Sequence, residues 1–285
     1  MIKKLSVVVL LLLNTVAVFA QEEVLFKAVF KPNKVYKTYM KTTSYTETDF
    51  TGNAAIIEEI TKNGVSLPMI SDNEMFINLE LKTYSSNDLG EFKGVLEYKN
   101  MVNNMTVNGQ TTDQGNPFLG VKIMGTYDSN NRFSLDTIVG NQLTDQLRDI
   151  MKTTAENMQE AVKFPANPLK IGDSFDMDIP MSIPIDGIGT ISFIIRTNYL
   201  LKEIKGSLAH FDIVQSIELE TTGSKTNMSA SGEGVGTLDY DIKENYIVRN
   251  DVNLPMEMSI IINEDLSLVV KVKSITEQRV VMSKG

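Results

Sequence analysis

The chain of 285 residues has no cysteine, no tryptophan and a single histidine. Without thiols there can be no disulfide, no thiol nucleophile, no iron–sulfur cluster and no cysteine-ligated zinc. One imidazole cannot build a histidine-rich metal centre or a His-Glu-x-x-His pair, so any metal site would have to rest on carboxylates. The lack of tryptophan leaves little with which to build the interfacial girdles of an outer-membrane barrel. Basic residues are also in deficit: 27 Lys and Arg stand against 36 Asp and Glu, a net charge of −9. No local cluster of Lys or Arg offsets that balance. Nucleic acid and anionic membrane surfaces are therefore not expected partners, because phosphate backbones and anionic headgroups repel such a surface.

What is present begins with a leader. Lys3 and Lys4 precede an almost unbroken apolar run from Leu5 to Phe19, and Val18-Phe19-Ala20 closes it with small residues at the peptidase positions. This predicts a secretory signal peptide over residues 1–20, cut between Ala20 and Gln21. A run of roughly 15 apolar residues falls short of the roughly 20 that span a bilayer core, and no later run approaches that length. The mature chain is expected to be periplasmic or secreted, without stable membrane insertion. No cysteine follows the cut, which excludes a lipid anchor there.

Beyond the leader, alternation of period two dominates. Val35–Tyr45, Met75–Tyr84, Phe92–Tyr98 and Met101–Val107 read as strands. Val121–Tyr127 and Arg132–Ile138 face each other across Asp128-Ser129-Asn130-Asn131, a hairpin with turn residues in the turn. Five more long strands or hairpins are expected between Ile188 and Val281, with turns at Lys205-Gly206, Lys243-Glu244 and Asn263-Glu264-Asp265. Between these halves, Leu143, Leu147, Ile150, Met151, Met158 and Val162 recur at three- and four-residue steps, which predicts one long amphipathic helix. Asn141 would cap it and Phe164-Pro165 would end it. Asn53 and Gly64 could similarly cap a short helix over 54–60; an irregular loop or a further hairpin arm is the alternative.

The expected fold is mainly β: an antiparallel open barrel, or two half-barrels, with the long helix on the concave face. Residues 21–163 would form an N-terminal β-rich half that ends in the helix. Residues 164–285 would form the second half, with one continuous domain as the alternative.

Candidate chemistry is sparse. His210 and Asp212 alternate onto one side of a strand, an acid–base pair in form, but no nucleophile motif accompanies them. Asp173, Asp176 and Asp178 are the densest carboxylates, yet Phe175, Met177 and Ile179 interleave them as in a half-buried strand rather than a calcium loop. Gly232-Glu233-Gly234-Val235-Gly236 lies inside alternating β sequence with no helix to follow, which fits curvature or close packing rather than a phosphate loop. No catalytic residue, metal ligand or cofactor is expected. The 15 methionines are the remaining feature, since flexible, polarisable thioethers suit an irregular apolar ligand.

Phe164-Pro165 and Pro168-Leu169-Lys170-Ile171-Gly172-Asp173-Ser174-Phe175, placed between helix and second β half, resemble a motif of a family of exported bacterial β-rich proteins: proline, two residues, Ile-Gly-Asp-Ser-aromatic. Phe175 stands where that family usually has tryptophan. The resemblance implies export and a β-rich fold, and no activity. The expected architecture is also similar to periplasmic carriers of lipoproteins and lipids. The function expected is non-enzymatic: binding a hydrophobic small molecule or lipid between sheet and helix, lined by Leu143, Leu147, Met151 and Met158. The alternative is a structural or interaction module that binds an envelope protein and holds no ligand.

Overall fold

This computed structural model describes residues 23–113, 115–116, 118–140, 144, 148, 151–152, 163–185, 189–219 and 228–285. Among the described residues, thirteen antiparallel strands form one sheet: β1 (Lys34–Gly52), β2 (Met69–Thr83), β3 (Phe92–Val107), β4 (Gln110–Asp113), β5 (Lys122–Tyr127), β6 (Phe133–Val139), β7 (Ser174–Ile185), β8 (Gly189–Lys205), β9 (Leu208–Leu219), β10 (Met228–Ser231), β11 (Glu233–Asp241), β12 (Tyr246–Asn263) and β13 (Leu266–Lys284). Their order is β6-β5-β3-β2-β1-β13-β12-β11-β9-β8-β7, with β4 on β3 and β10 on β12. The sheet is open, because β6 and β7 at its ends do not pair with each other. Hairpins join most neighbouring strands, but the chain passes from one edge of the sheet to the other between β6 and β7, and the first and last strands pair, β1 lying against β13 over its whole length.

Several strands run further than their alternation suggests. β3 joins Phe92–Tyr98 to Met101–Val107 through a register shift opposite Asn78 and Leu79, so one bulge takes up the break in the pattern. The expected strand from Lys225 to Ile242 is interrupted at Gly232 between β10 and β11. The Asp128–Asn131 turn forms as expected: the Asp128 carboxylate accepts from the backbone N–H groups of Asn130 and Arg132, and Asn131 takes φ 63°. A short helix, α1 (Ala54–Lys62), follows β1, and the Asn53 side chain caps it by accepting from the Ala55 N–H.

The long helix expected over 141–162 lies largely outside the described residues. Within it, the Arg148 N–H donates to the Thr144 carbonyl, one helical step, and Met151 is 1% exposed among Val121, Ile123 and Ile138.

One face of the sheet carries the core, and Tyr36, Leu81, Leu96, Phe211 and Leu238 point to it. At the end of the sheet where β1 begins, residues 23–33 cross this face. Phe26 sits among Phe164, Phe211 and Tyr240, and Phe30 among Tyr36, Tyr127 and Tyr246. Two buried phenols tie the crossing down. The Tyr240 hydroxyl accepts from the Lys27 N–H and donates to its carbonyl, and the Tyr36 hydroxyl accepts from the Lys31 N–H. Val24 adds a backbone bridge to Leu169. In the resembled motif, Gly172 takes φ 97° in the turn before β7, and Phe175 stacks on Tyr199 at 4.8 Å.

Candidate functional site

The registers show how the core face changes along the strands. Nearest the crossing segment it is aromatic and closed. At the far end a second apolar cluster forms, with Phe193, Ile217, Met258 and Ile260 buried and Met228, Met256, Leu268 and Val270 packed against them. Every residue of that cluster comes from β8, β9, β10, β12 or β13, so these are side chains of one sheet face meeting side by side. On the N-terminal strands the same face presents Met40, Met69, Met75, Met101 and Met105. Met69 and Met105 are 39% and 37% exposed. Methionine is thus the commonest large apolar side chain of this half of the face, and its thioether conforms to whatever lies against it.

Neutral polar groups lie between the two apolar regions and, as Thr46, Thr48 and Ser71, continue along β1 and β2 beside the methionines. Thr197 of β8 pairs with Gln215 of β9, and across the middle of the sheet Ser274, Ser44 and Asn73 follow one another on β13, β1 and β2. In the adjoining row Thr276 faces Thr42, their hydroxyls 3.3 Å apart, and Asn103 faces Met75. Some of this polarity is satisfied internally: the Gln215 amide donates to the hydroxyl of Thr197, which is fully buried. Some is not. The side-chain oxygens of Asn73, Asn103 and Asn250 are buried without a hydrogen-bond partner among the described residues. Beyond Lys34 and Lys284, which stand at the closed end, no described strand from β1 to β3 or from β8 to β13 directs an Asp, Glu, Lys or Arg side chain to this face.

Glycines keep the face low where long side chains must lie over it. A Cβ on Gly236 would stand 2.2 Å from the Asp251 carbonyl oxygen, and one on Gly234 would stand 2.8 Å from the Leu254 side chain. The Gly-x-Gly-x-Gly stretch is therefore a packing device of the sheet, as its β context indicates.

The charged chemistry is on the opposite face. The His210 ring nitrogen Nδ1 lies 2.7 Å from a carboxylate oxygen of Asp239 on β11. Asp212, on the same side of β9, meets Lys202 at 3.3 Å. Directly opposite residues on neighbouring strands come closer than residues two apart on one strand, so the cross-strand partner wins. His210 belongs to a row in which Glu203, His210, Asp239, Arg249 and Arg279 succeed one another from strand to strand. It is a charge ladder, and no serine, threonine or lysine in it offers a nucleophile. Asp251, beside that row, is held below the usual carboxylate range: burial raises its pKa, and hydrogen bonds from Arg279 and Arg249 more than offset this. Asp176 accepts from Asn198 and Asp178 from Arg196, while Asp173 accepts from the Lys170 N–H. Those three carboxylates point at separate partners, and among the described residues no group of three potential metal ligands converges. A groove of about 620 Å³ on this face runs past Tyr45, Asp72, Glu74, Thr106 and Lys273.

Of the residues expected to line a ligand site, Leu143, Leu147 and Met158 lie outside the described residues. Met151 is described, and it is packed into the closed-end cluster with Ile123 and Ile138. Sequence reasoning missed the far half of the sheet face itself. The signal was available: Met69, Met75, Met101, Met105, Met256 and Met258 all fall on one parity of their strands.

No protein-family model matches the chain, and no curated protein matches its sequence. Among solved structures, the chain is similar in fold to lipovitellin, in a structure reporting its lipid–protein interactions: TM-score 0.50 at 12% identity, covering 90% of this chain and 26% of that one. The chain therefore spans about a quarter of that protein's length. Two Pseudomonas aeruginosa structures also match. OccK5 (OpdH) has a TM-score of 0.27 at 7% identity, covering 90% of this chain and 100% of its own, and OpdQ has 0.25 at 6%, covering 87% and 99%. At those scores they bear no further weight.

Proposed function

We propose that the protein is an exported, non-enzymatic binding module that holds an apolar or amphipathic ligand, a lipid or lipid-like molecule, against the core face of its sheet. The observation that carries this is the far half of that face: methionine-lined, without charge, and built from a single sheet layer among the described residues. A sheet with an apolar face must bury it against something, and no described strand or helix does so there. The fold likeness to lipovitellin supports the reading, as does the signal peptide expected from residues 1–20. In this reading Leu143, Leu147 and Met158 stay proposed as ligand-lining residues, while Met151 belongs to the closed-end cluster.

Native mass spectrometry of the mature protein, followed by lipid extraction, tests it. A stoichiometric adduct is expected, lost in Met75→Glu and in Met256→Glu with the circular dichroism of the sheet unchanged. A bare mass with no uptake of an apolar fluorophore would overturn it. The second reading, an envelope interaction module, draws on the opposite face, where Val214 and Val235 face each other and Ile275 follows in the same row beyond Asn253, at 54%, 62% and 45% exposed. A bare mass together with association lost in Val235→Asp would favour that reading.

A further inference from the structure

We propose that the charged face carries a separate binding site for an uncharged polysaccharide chain, laid along β1 over Tyr45 and Tyr39. The site uses the face opposite the methionine field and does not rest on the reading above. Tyr39, Lys41, Thr43 and Tyr45 share one side of β1, and the registers set Asp72 beside Tyr45, Phe76 beside Lys41 and Asn78 beside Tyr39. Two hollows lie along this line. One, of about 620 Å³, is lined by Tyr45, Asp72, Asn104, Thr106, Thr111 and Lys273. The other, of about 300 Å³, is lined by Tyr39, Phe76, Asn78, Glu277 and Arg279. The strand runs about 20 Å from Tyr39 to Tyr45, so the hollows form a track for a chain of several units.

The chemistry of the track selects the ligand. Much of the charge on this face is spent on neighbours, as in Lys37 with Glu80, Lys202 with Asp212 and Arg196 with Asp178. In the larger hollow, by contrast, the Asp72 carboxylate, the Asn104 amide and the Lys273 ammonium have no hydrogen-bond or ion-pair partner among the described residues. Asp72 and Lys273 flank Tyr45 on the two neighbouring strands, with backbones about 10 Å apart. The Tyr45 hydroxyl lies 3.5 Å from the carboxylate of Glu47, the next side chain on that side of β1, so the ring leans along the strand and offers a face. A pyranose carries C–H groups on its faces and hydroxyls around its rim. Its C–H groups suit the negative face of an aromatic ring. Its hydroxyls donate to a carboxylate on one side and accept from an ammonium or amide on the other. Tyr39, 45% exposed with Asn78 beside it, repeats the pairing of ring and polar group in the second hollow.

Other ligand classes fit worse. Around the two hollows Asp72, Glu74 and Glu277 are balanced by Lys41, Lys273 and Arg279, so a ligand of either charge meets its own sign as often as the opposite one. Lys41 is held by Glu74 at 2.9 Å, and its ammonium lies 5.0 Å over the Phe76 ring, forming the ridge between the hollows. An extended peptide bonds to a free strand edge, whereas β1 and β2 are paired on both sides.

Affinity electrophoresis of the mature protein tests this, in native gels cast with starch, mixed-linkage β-glucan, galactomannan or dextran, and with polygalacturonate as the charged counterpart. Retardation by at least one neutral polymer, relative to a reference protein, is expected, with none by polygalacturonate. Tyr45→Ala and Asp72→Ala should each weaken it at least about tenfold with circular dichroism unchanged. Tyr45→Phe, which keeps the ring, and Val214→Ser, on the same face outside the hollows, should bind as the parent does. No retardation by any neutral polymer, stronger retardation by polygalacturonate, or undiminished retardation in both alanine variants would overturn the proposal and leave the reading of the methionine field untouched.

Discussion

At the scale of single residues, the tyrosines do the most structural work. Tyr36 and Tyr240 each combine ring packing with a hydroxyl bonded to the backbone of the crossing segment, so they hold residues 23–33 by two kinds of force. Tyr240→Phe keeps the packing and removes the hydrogen bonds to Lys27. It should cost about 1–2 kcal/mol in urea denaturation and speed hydrogen exchange at the Lys27 amide. Burial pushes the Tyr199 phenol up to about 12, and it raises Tyr36 and Tyr240 as well. Groups with raised folded pKa values contribute stability that is intact below about pH 10, the unfolded value, and disappears as pH rises through the folded values. Alkaline titration should therefore show tyrosinate absorbance appearing together with loss of the β signal between about pH 10 and about pH 12. Gly236 is the opposite kind of residue, defined by what cannot be added. Gly236→Ala would place a methyl against the Asp251 carbonyl and should destabilise by more than about 2 kcal/mol in the same denaturation assay.

At the scale of elements, the strands are long because each alternates consistently, and their ends are set by turn residues. Asn131 and Asn245 take positive φ at hairpins, and Asn131 also pins the crossing segment by exchanging two hydrogen bonds with the backbone of Phe30. The junction of β1, β12 and β13 is bound on the charged face by Asp251 with Arg279 and Arg249, and at the closed end by Glu244 with Lys34 and Lys31. Hydrogen bonds from Lys34 and Lys31 hold Glu244 below its ordinary range, as those from the arginines hold Asp251. Both contributions are present above about pH 4 and lost as pH falls through the depressed folded values. The stability lost between neutral and acid pH in urea denaturation should accordingly be smaller in the double variant Asp251→Asn, Glu244→Gln than in the parent protein. β7 is one edge of the open sheet, and its Pro180 and Pro184 offer no N–H to a further strand. Replacing both prolines by valine should yield concentration-dependent oligomers in sedimentation velocity, while the parent sequence stays at one size.

At the scale of the whole molecule, the open sheet separates its two faces by chemistry. Ion pairs and the one histidine occupy one face, and the other grades from an aromatic core through neutral polar groups to a methionine and aliphatic field. The proposed function belongs to this scale rather than to any residue, because the field is assembled from strands far apart in the chain.

The amino-acid sequence by itself determined that the protein is β-rich and antiparallel, that the Asp128–Asn131 turn closes a hairpin, and that the glycines at 232–236 belong to the sheet rather than to a phosphate loop. These are local matters of alternation and turn chemistry, legible within a few residues. It also determined which chemistries are absent, through missing cysteine and scarce histidine. Tertiary structure decided what depends on register. Nothing local makes β1 the neighbour of β13, or Asp239 rather than Asp212 the partner of His210. Nothing local shows that Ser44, Asn73 and Ser274 share a row while methionines from distant strands share the field beside it. Side-chain parity is written in each strand, but the alignment of one strand on the next is fixed only when the whole apolar face is buried together.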